Sequence, residues 1–337
     1  MLDSELLKRL EYLSLVARGV PGGGLLACRP SPLPAGGTEL TGHRDYSPGD
    51  DYRQIDWGVC ARHDELHTRQ FQGEQDLHVY LLLDCSRSMG LGRRPKFDVA
   101  RRIAAALAYV SLAEERRVAV AAFSDRITAD LAPIRGKSRI LKLTRFLDGL
   151  SLDAGPTSSP LPKGATAGLS SSESHGPRKN TAGQASSGTR IPGNGLSQRP
   201  TNLAQAATQF CKRYQRHGPV VVISDLMDSR PEPGADFRAG LDILRARGYS
   251  PRVVQLSDPA ETSPELLGDI ELFDVETQTA RQVTVTEGDL RRYAREVKRF
   301  DESVRAYCAK YRVRRARVPC DLPDEECLLR AIGARRT

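Results

Sequence analysis

Val79-Tyr80-Leu81-Leu82-Leu83-Asp84-Cys85-Ser86-Arg87-Ser88 runs from an unbroken apolar pentad into a carboxylate that is followed, at alternate positions, by two hydroxyls. A short continuous apolar run of this kind reads as a strand buried on both faces, as in a parallel sheet. Oxygen donors at 84, 86 and 88, on the loop leaving such a strand, fall on one side of a tight turn. They are hard ligands suited to magnesium, manganese or calcium, and with so little negative charge of their own they leave coordination positions to water or to a partner's oxygen. The same residues also fit the start of a capped helix, because Asp and Ser are favoured caps. Context shifts the balance toward metal: a second β-branched run, Val220-Val221-Val222-Ile223, ends in Ser224-Asp225-Leu226-Met227-Asp228. Two buried parallel strands then deliver aspartates to one edge.

Outward from these two strands the pattern alternates. Strand Val79–Leu83 precedes a helix from about Lys96 to Glu115, strand Val118–Phe123 with Ile127–Leu131 beside it, and a helix from about Lys137 to Leu147. Helix Asn202–Arg216, strand Val220–Ile223, helix Ala235–Arg247 and strand Arg252–Leu256 continue the series. Such alternation predicts an α/β fold with a doubly wound, mostly parallel sheet. Three regions are expected: an N-terminal extension over 1–75, the alternating domain over 76–260, and a C-terminal hairpin plus helices over 261–337. Within the extension, leucines at helical spacing predict a short amphipathic helix over residues 4–13, and 65–71 reads as a strand. Residues 151–200, rich in Ser, Gly, Thr, Pro and Ala, read as a mobile insertion too poor in apolar surface to offset its ordering entropy. Asp269–Asp274 and Gln282–Thr286 read as the hairpin, followed by helices over Glu287–Lys310 and around 324–333.

With 39% hydrophobic and 27% charged residues in 337, the composition is that of a soluble globular chain with enough material for a large core. No apolar run approaches the roughly 20 residues that span a bilayer, and the first residues lack the basic and apolar regions of a signal peptide, so a cytoplasmic location is expected. Seven cysteines at irregular spacing argue against a disulfide framework. Cys320 and Cys327 match no common zinc spacing and read as reduced, buried thiols. The formal charge of +8 is spread over mixed-sign segments, with one dense basic cluster at Arg312–Arg317. Without an accompanying nucleic-acid motif or interleaved aromatics, that cluster reads as solvated surface or a face for an acidic partner.

Asp84-x-Ser86-x-Ser88, with a later threonine and the strand-terminal Asp225, resembles the metal-ion-dependent adhesion site of von Willebrand factor A domains. That resemblance implies a von Willebrand A-like fold and a site holding Mg2+ (Mn2+ or Ca2+ are possible) through Asp84, Ser86, Ser88, Asp225 and one threonine, with a position open to a partner's carboxylate. Thr201 and Thr157 both follow a proline. Thr201 is preferred, because Thr201-Asn202-Leu203 leads into the helix that feeds the Val220 strand, as a doubly wound sheet requires. Asn202 stands where an aspartate is often found.

Upstream, Tyr46-Ser47-Pro48-Gly49-Asp50-Asp51-Tyr52-Arg53-Gln54-Ile55-Asp56-Trp57, followed by Ala61-Arg62, is similar to the signature of the bacterial family known as domain of unknown function 58. Members of that family are commonly encoded beside AAA+ ATPases of the MoxR type, so the resemblance implies an interaction module working with such a partner. Physically, Arg44, Arg53 and Arg62 interleave with Asp45, Asp50, Asp51 and Asp56, which predicts a charge-assisted network clamping the segment onto the sheet around Trp57. A direct partner-binding role is the other reading of these residues. Trp57 is expected in the core, and His43, His63, His67 and His78 are expected to be bystanders.

Three functions compete. The first is a noncatalytic, metal-dependent adaptor with no enzyme activity of its own. The second is a metal-dependent phosphohydrolase with Asp84 as nucleophile, but Ser86 stands where that chemistry wants a second aspartate. The third is nucleic-acid binding through the basic C-terminal tract. No Walker-type phosphate loop appears.

Overall fold

The computed structural model describes Glu11 and residues 39–47, 52–63, 65–72, 77–92, 94–152, 201–227, 235–262, 264, 266–273 and 280–333. The expected helix at 4–13 lies outside these residues save for Glu11, and so do Asp50, Asp51, Thr157 and the expected insertion from 153 onward.

The N-terminal part forms a two-stranded antiparallel ribbon, β1 (Glu39–Asp45) with β2 (His67–Gln72), and helix α1 (Trp57–His63) lies between them in sequence. The main sheet follows in chain order: β3 (His78–Asp84), α2 (Lys96–Ala113), β4 (Arg117–Phe123), β5 (Ile127–Ile134), α3 (Ile140–Gly149), α4 (Leu203–Arg213), β6 (Pro219–Ser224), α5 (Ala235–Ala246) and β7 (Ser250–Ser257). After a short α6 (Pro259–Thr262) come the hairpin β8 (Gly268–Phe273) and β9 (Ala280–Val285), the 24-residue α7 (Glu287–Lys310), β10 (Arg314–Pro319) and α8 (Asp324–Ile332).

The six strands run in the order β10-β7-β6-β3-β4-β5, all parallel except β5, which turns back antiparallel along β4. Both faces are covered, as the continuous apolar pattern requires. Val79, Leu81 and Leu83 of β3 pack toward α2, α3 and α8, while Tyr80 and Leu82 pack on the opposite face with residues of α4, α5 and α7. Helix α2 is buried along most of its length, and Ala104, Ala105, Ala106 and Ala108 let it lie close to the sheet. The capping box of α7, in which Thr286 Oγ1 accepts from Asp289 N–H (3.3 Å) and Asp289 Oδ2 accepts from Thr286 N–H (3.1 Å), fixes where that helix starts.

One element departs from expectation. The basic cluster Arg312–Arg317 is not merely solvated surface, because most of it forms β10, the sixth strand of the sheet, paired with β7 from Arg314↔Arg252 to Pro319↔Ser257. Its charges hid an edge strand with one buried anchor, Val318, and Arg315 is engaged by Gln255 and Asp301. Among the described residues no helix is long and apolar enough to cross a membrane.

Leu81, fully buried in the central strand, is expected to cost about 2–5 kcal/mol of unfolding free energy when cut to alanine. Exposed Leu141 should cost under about 0.5 kcal/mol. Urea unfolding followed by circular dichroism checks both, and equal effects would contradict the placement of β3.

Candidate metal centre

The strand order reverses between β3 and β6, and it is at such a switch point, outside the carboxyl ends of the strands, that doubly wound sheets place ligands. Leu83 pairs with Ile223, so the next residues, Asp84 and Ser224, stand level across the two strands. The Ser224 hydroxyl donates to Asp84 Oδ2 (2.5 Å) and accepts from Leu226 N–H (2.9 Å). Asp84 Oδ1 accepts from Ser86 N–H (2.9 Å). Asp84 is 0% exposed. Burial, and then the charge of Asp225, push its carboxyl above the usual carboxylate range, against the hydrogen bonds from Ser224 and Ser86.

The loop after β3 is held by Met89, which is wholly buried in the core, and closes with Met89 N–H donating to the Ser86 carbonyl (3.1 Å). That turn brings the Ser86 and Ser88 hydroxyl oxygens to 3.0 Å from each other. Gly92, further along, has φ +99°, and a Cβ there would lie 1.9 Å from Asp258 Oδ2, so only glycine fits. On β6's side, Leu226 holds φ +62° with its side chain buried, an unfavourable backbone state for leucine that turns the chain sharply after Asp225.

Asp225 is buried and fully engaged. Its Oδ1 accepts from Met227 N–H (3.1 Å), and its Oδ2 accepts from Lys96 Nζ (2.7 Å) at the head of α2. Lys96 also donates to both carboxylate oxygens of Glu261 on α6 (2.6 and 2.9 Å). Burial opposes the lysine's charge, but Asp225 and Glu261 together outweigh it and hold the ammonium above the usual lysine range. Burial raises the Glu261 carboxyl, and Lys96 works against that rise.

Thr201 stands just before the start of α4. The next residue, Asn202, donates its backbone N–H to the Ser124 carbonyl just past β4 (2.9 Å) and caps α4 by accepting from Gln205 N–H (2.8 Å). Asp236 on α5 adds a carboxylate to that helix start, accepting from Leu203 N–H and Ala204 N–H. The asparagine at 202 is therefore occupied as a helix cap.

Whether these residues fit a divalent ion is decided by the donor set. Adjacent oxygens around an octahedral magnesium with bonds of about 2.1 Å lie about 3.0 Å apart. The Ser86 and Ser88 hydroxyls, which share a hydrogen bond with each other, lie at that spacing. Asp84 accepts from Ser86 N–H and from the Ser224 hydroxyl, and a carboxylate's two oxygens have further acceptor capacity for metal-bound water. The residues fit.

Four residues at this edge escaped the sequence reading. Ser224 was legible from register alone, because it is the β6 residue level with Asp84. Lys96 stands at helical spacing from Val99, Ala100 and Ile103, a charge in the apolar stripe of α2, and that was a readable signal. For Glu261 and Asp236 the sequence carried none.

The upstream motif is organised differently from the expected network. Asp56 is its hub: Oδ2 lies 2.9 Å from His43 Nε2 and accepts from Arg69 Nε (3.0 Å), and Oδ1 accepts from Gly58 N–H (3.1 Å). Arg69, then His43, hold the Asp56 carboxyl well below the usual range. His43 is thus no bystander, and nor is His67, whose Nδ1 is 3.2 Å from Asp45 Oδ1. Arg62 turns back to the Gly58 carbonyl (3.0 Å), and the Arg53 guanidinium lies over the Tyr52 ring, 5.8 Å from its centroid. Asp56 N–H bonds the His67 carbonyl (2.9 Å) and Ile55 bridges Thr68, so the motif is clamped to the β1–β2 ribbon. Trp57 corrects the expectation of a core residue. It is 67% exposed at the start of α1, while its neighbour Ile55 takes the buried position.

The fold is an α/β fold with a six-stranded, mostly parallel mixed sheet. Residues 42–303 match the family described as "Protein of unknown function DUF58", and the chain belongs to that family. The uncharacterized protein Rv1480 of Mycobacterium tuberculosis is 25% identical over 287 residues, covering 84% of this chain and 75% of that protein. Among solved structures, BatB from Bacteroides thetaiotaomicron covers 76% of this chain and 97% of its own at 13% identity, with a TM-score of 0.39. Proximal thread matrix protein 1 from the mussel byssus covers 54% of this chain and 38% of its own at 9% identity, with a TM-score of 0.33.

Trp57 is the single tryptophan of the chain, so its fluorescence reports one ring. Acrylamide is expected to quench it in the native protein nearly as strongly as in concentrated urea. A native emission protected from the quencher would mean that the ring is covered.

Proposed function

We propose that this protein is a noncatalytic, metal-dependent interaction module that presents a magnesium-class ion at the carboxyl edge of its sheet to a carboxylate on a protein partner. The observation that carries the reading is the pair of hydroxyls of Ser86 and Ser88, held 3.0 Å apart beside the buried Asp84 at the switch point. When bound, the ion supplies an electrophilic centre with open coordination positions. Ser86 and Ser88 would ligate it directly, Thr201 would join them from the loop before α4, and Asp84 and Asp225 would hold its water. Neutral hydroxyl ligands leave the ion's charge largely uncompensated, which favours a partner's Asp or Glu in the remaining position. The family's resemblance supports an AAA+ ATPase of the MoxR type as that partner, in assembly or maturation of a larger complex.

The phosphohydrolase reading is disfavoured by Ser86, which stands where that chemistry wants a second aspartate for acid/base work. The nucleic-acid reading loses force because Arg315 and Arg317 of the basic tract both face Asp301. A resident cytoplasmic adaptor remains the proposed setting.

Calorimetry is expected to detect one magnesium or manganese site per chain. Ser86→Ala should weaken it about tenfold or more, because one direct ligand is lost. Partner capture should require divalent metal and fail in Ser86→Ala and Asp225→Ala. Equal capture of the purified ATPase in excess EDTA would remove the metal from the interaction and move attention to the exposed Trp57 segment.

A further inference from the structure

We propose that Lys96 is a built-in counter-ion that sets how tightly the edge of the sheet holds a divalent cation, with Glu261 as its second anchor. This deepens the metal reading above and rests on it. Lys96 is 1% exposed, among the most buried large side chains in the protein, and its ammonium is shared between two carboxylates from different elements. A buried ammonium must be paired, since an uncompensated one is strongly destabilising. Of its two partners, Glu261 lies outside the proposed ligand set and Asp225 lies within it. Asp225 therefore cannot present its full charge to a metal, because part of that charge is already neutralised at 2.7 Å. A divalent ion held beside Asp225 also feels the lysine's positive charge through a poorly screening interior.

Glu261 makes the arrangement adjustable. It offers Lys96 two oxygens, at 2.6 and 2.9 Å, so the ammonium stays paired if Asp225 turns toward a metal. Removing the lysine's charge and removing the second anchor must then act in opposite directions. Lys96→Met keeps the buried stem, leaves Asp225 and Glu261 without a cation, and makes a divalent ion the natural replacement. Glu261→Gln leaves the ammonium wholly to Asp225 and strengthens the competitor. A salt bridge that merely braced the loops would weaken metal binding in both variants.

The test is calorimetric titration of the full chain with magnesium chloride and manganese chloride, for wild type, Lys96→Met and Glu261→Gln, with thermal melts with and without each metal. Affinity is expected to rise about tenfold or more in Lys96→Met and to fall about tenfold in Glu261→Gln. The metal-induced rise in melting temperature should follow the same order. If Lys96→Met is unfolded without metal, recovery of a cooperative melt on adding magnesium supports the proposal, and failure to recover overturns it. Affinity unchanged or lower in Lys96→Met, or unchanged or higher in Glu261→Gln, also overturns it while leaving the metal site standing. Absence of binding and of any metal-induced melting shift in both wild type and Lys96→Met removes the metal reading itself, and the inference with it. Binding in Lys96→Met alone would remove the metal reading for the wild-type chain, and the inference that rests on it.

Discussion

A carboxylate at zero exposure is the constraint from which the edge of this sheet follows. Asp84 cannot be left without partners in a low-dielectric interior, where an unpaired charge is far costlier than an unpaired amide. Its two oxygens are met by a hydroxyl from β6 and a backbone N–H from its own loop. The first partner exists only because β3 and β6 are neighbours in a register that puts Ser224 level with Asp84. Side chains alternate between faces along a strand, so a slip of one residue would carry the Ser224 hydroxyl to the other side of the sheet. Strand order, register and the polar arrangement at the edge are one constraint seen at three scales.

The second partner organises the loop. Once Ser86 N–H is committed to Asp84, the chain turns tightly enough to bury Met89 and to bring the 86 and 88 hydroxyls together. Across the switch point the chain turns just as sharply, through a leucine at positive φ whose N–H is taken by Ser224. Backbone strain of this kind costs on the order of 1–3 kcal/mol and persists only where surroundings impose it. Here the buried side chain of Leu226 on one side and the Lys96–Asp225 pair on the other supply that imposition.

The parts of this molecule that were legible in the sequence are those governed by local pattern. Runs such as Val79–Leu83 and Val220–Ile223 announce buried parallel strands because nothing else accounts for five or four consecutive apolar residues at that length. The loop that brings Asp84, Ser86 and Ser88 together was legible for the same reason: the three residues are close in sequence. What could not be read depends on long-range pairing. β10 is written in arginines because an edge strand buries little, and Val318 is its one buried residue. Trp57 was misread because aromatic size argues for burial, while the position that faces inward belongs to Ile55. Glu261 is 165 residues from Lys96, and no local rule joins them.

That long-range contact also ties the edge of the sheet to the C-terminal third of the chain. Glu261 opens from α6, directly after β7, and the carbonyl of the same residue accepts from the Tyr293 hydroxyl of α7 (2.7 Å). Helix α7 in turn packs Val304, Tyr307 and Cys308 into the core on the far face and feeds β10, which completes the sheet beside β7. The ammonium of Lys96 thus joins the head of α2, the end of β6 and α6, and through Glu261 it is one residue from the contact that seats α7. Lys96, bonded to Asp225 and Glu261, is a charged group shared by these elements. Two consecutive contacts, Lys96 to Glu261 and Glu261 to Tyr293, thus run from the switch point to the long exposed helix.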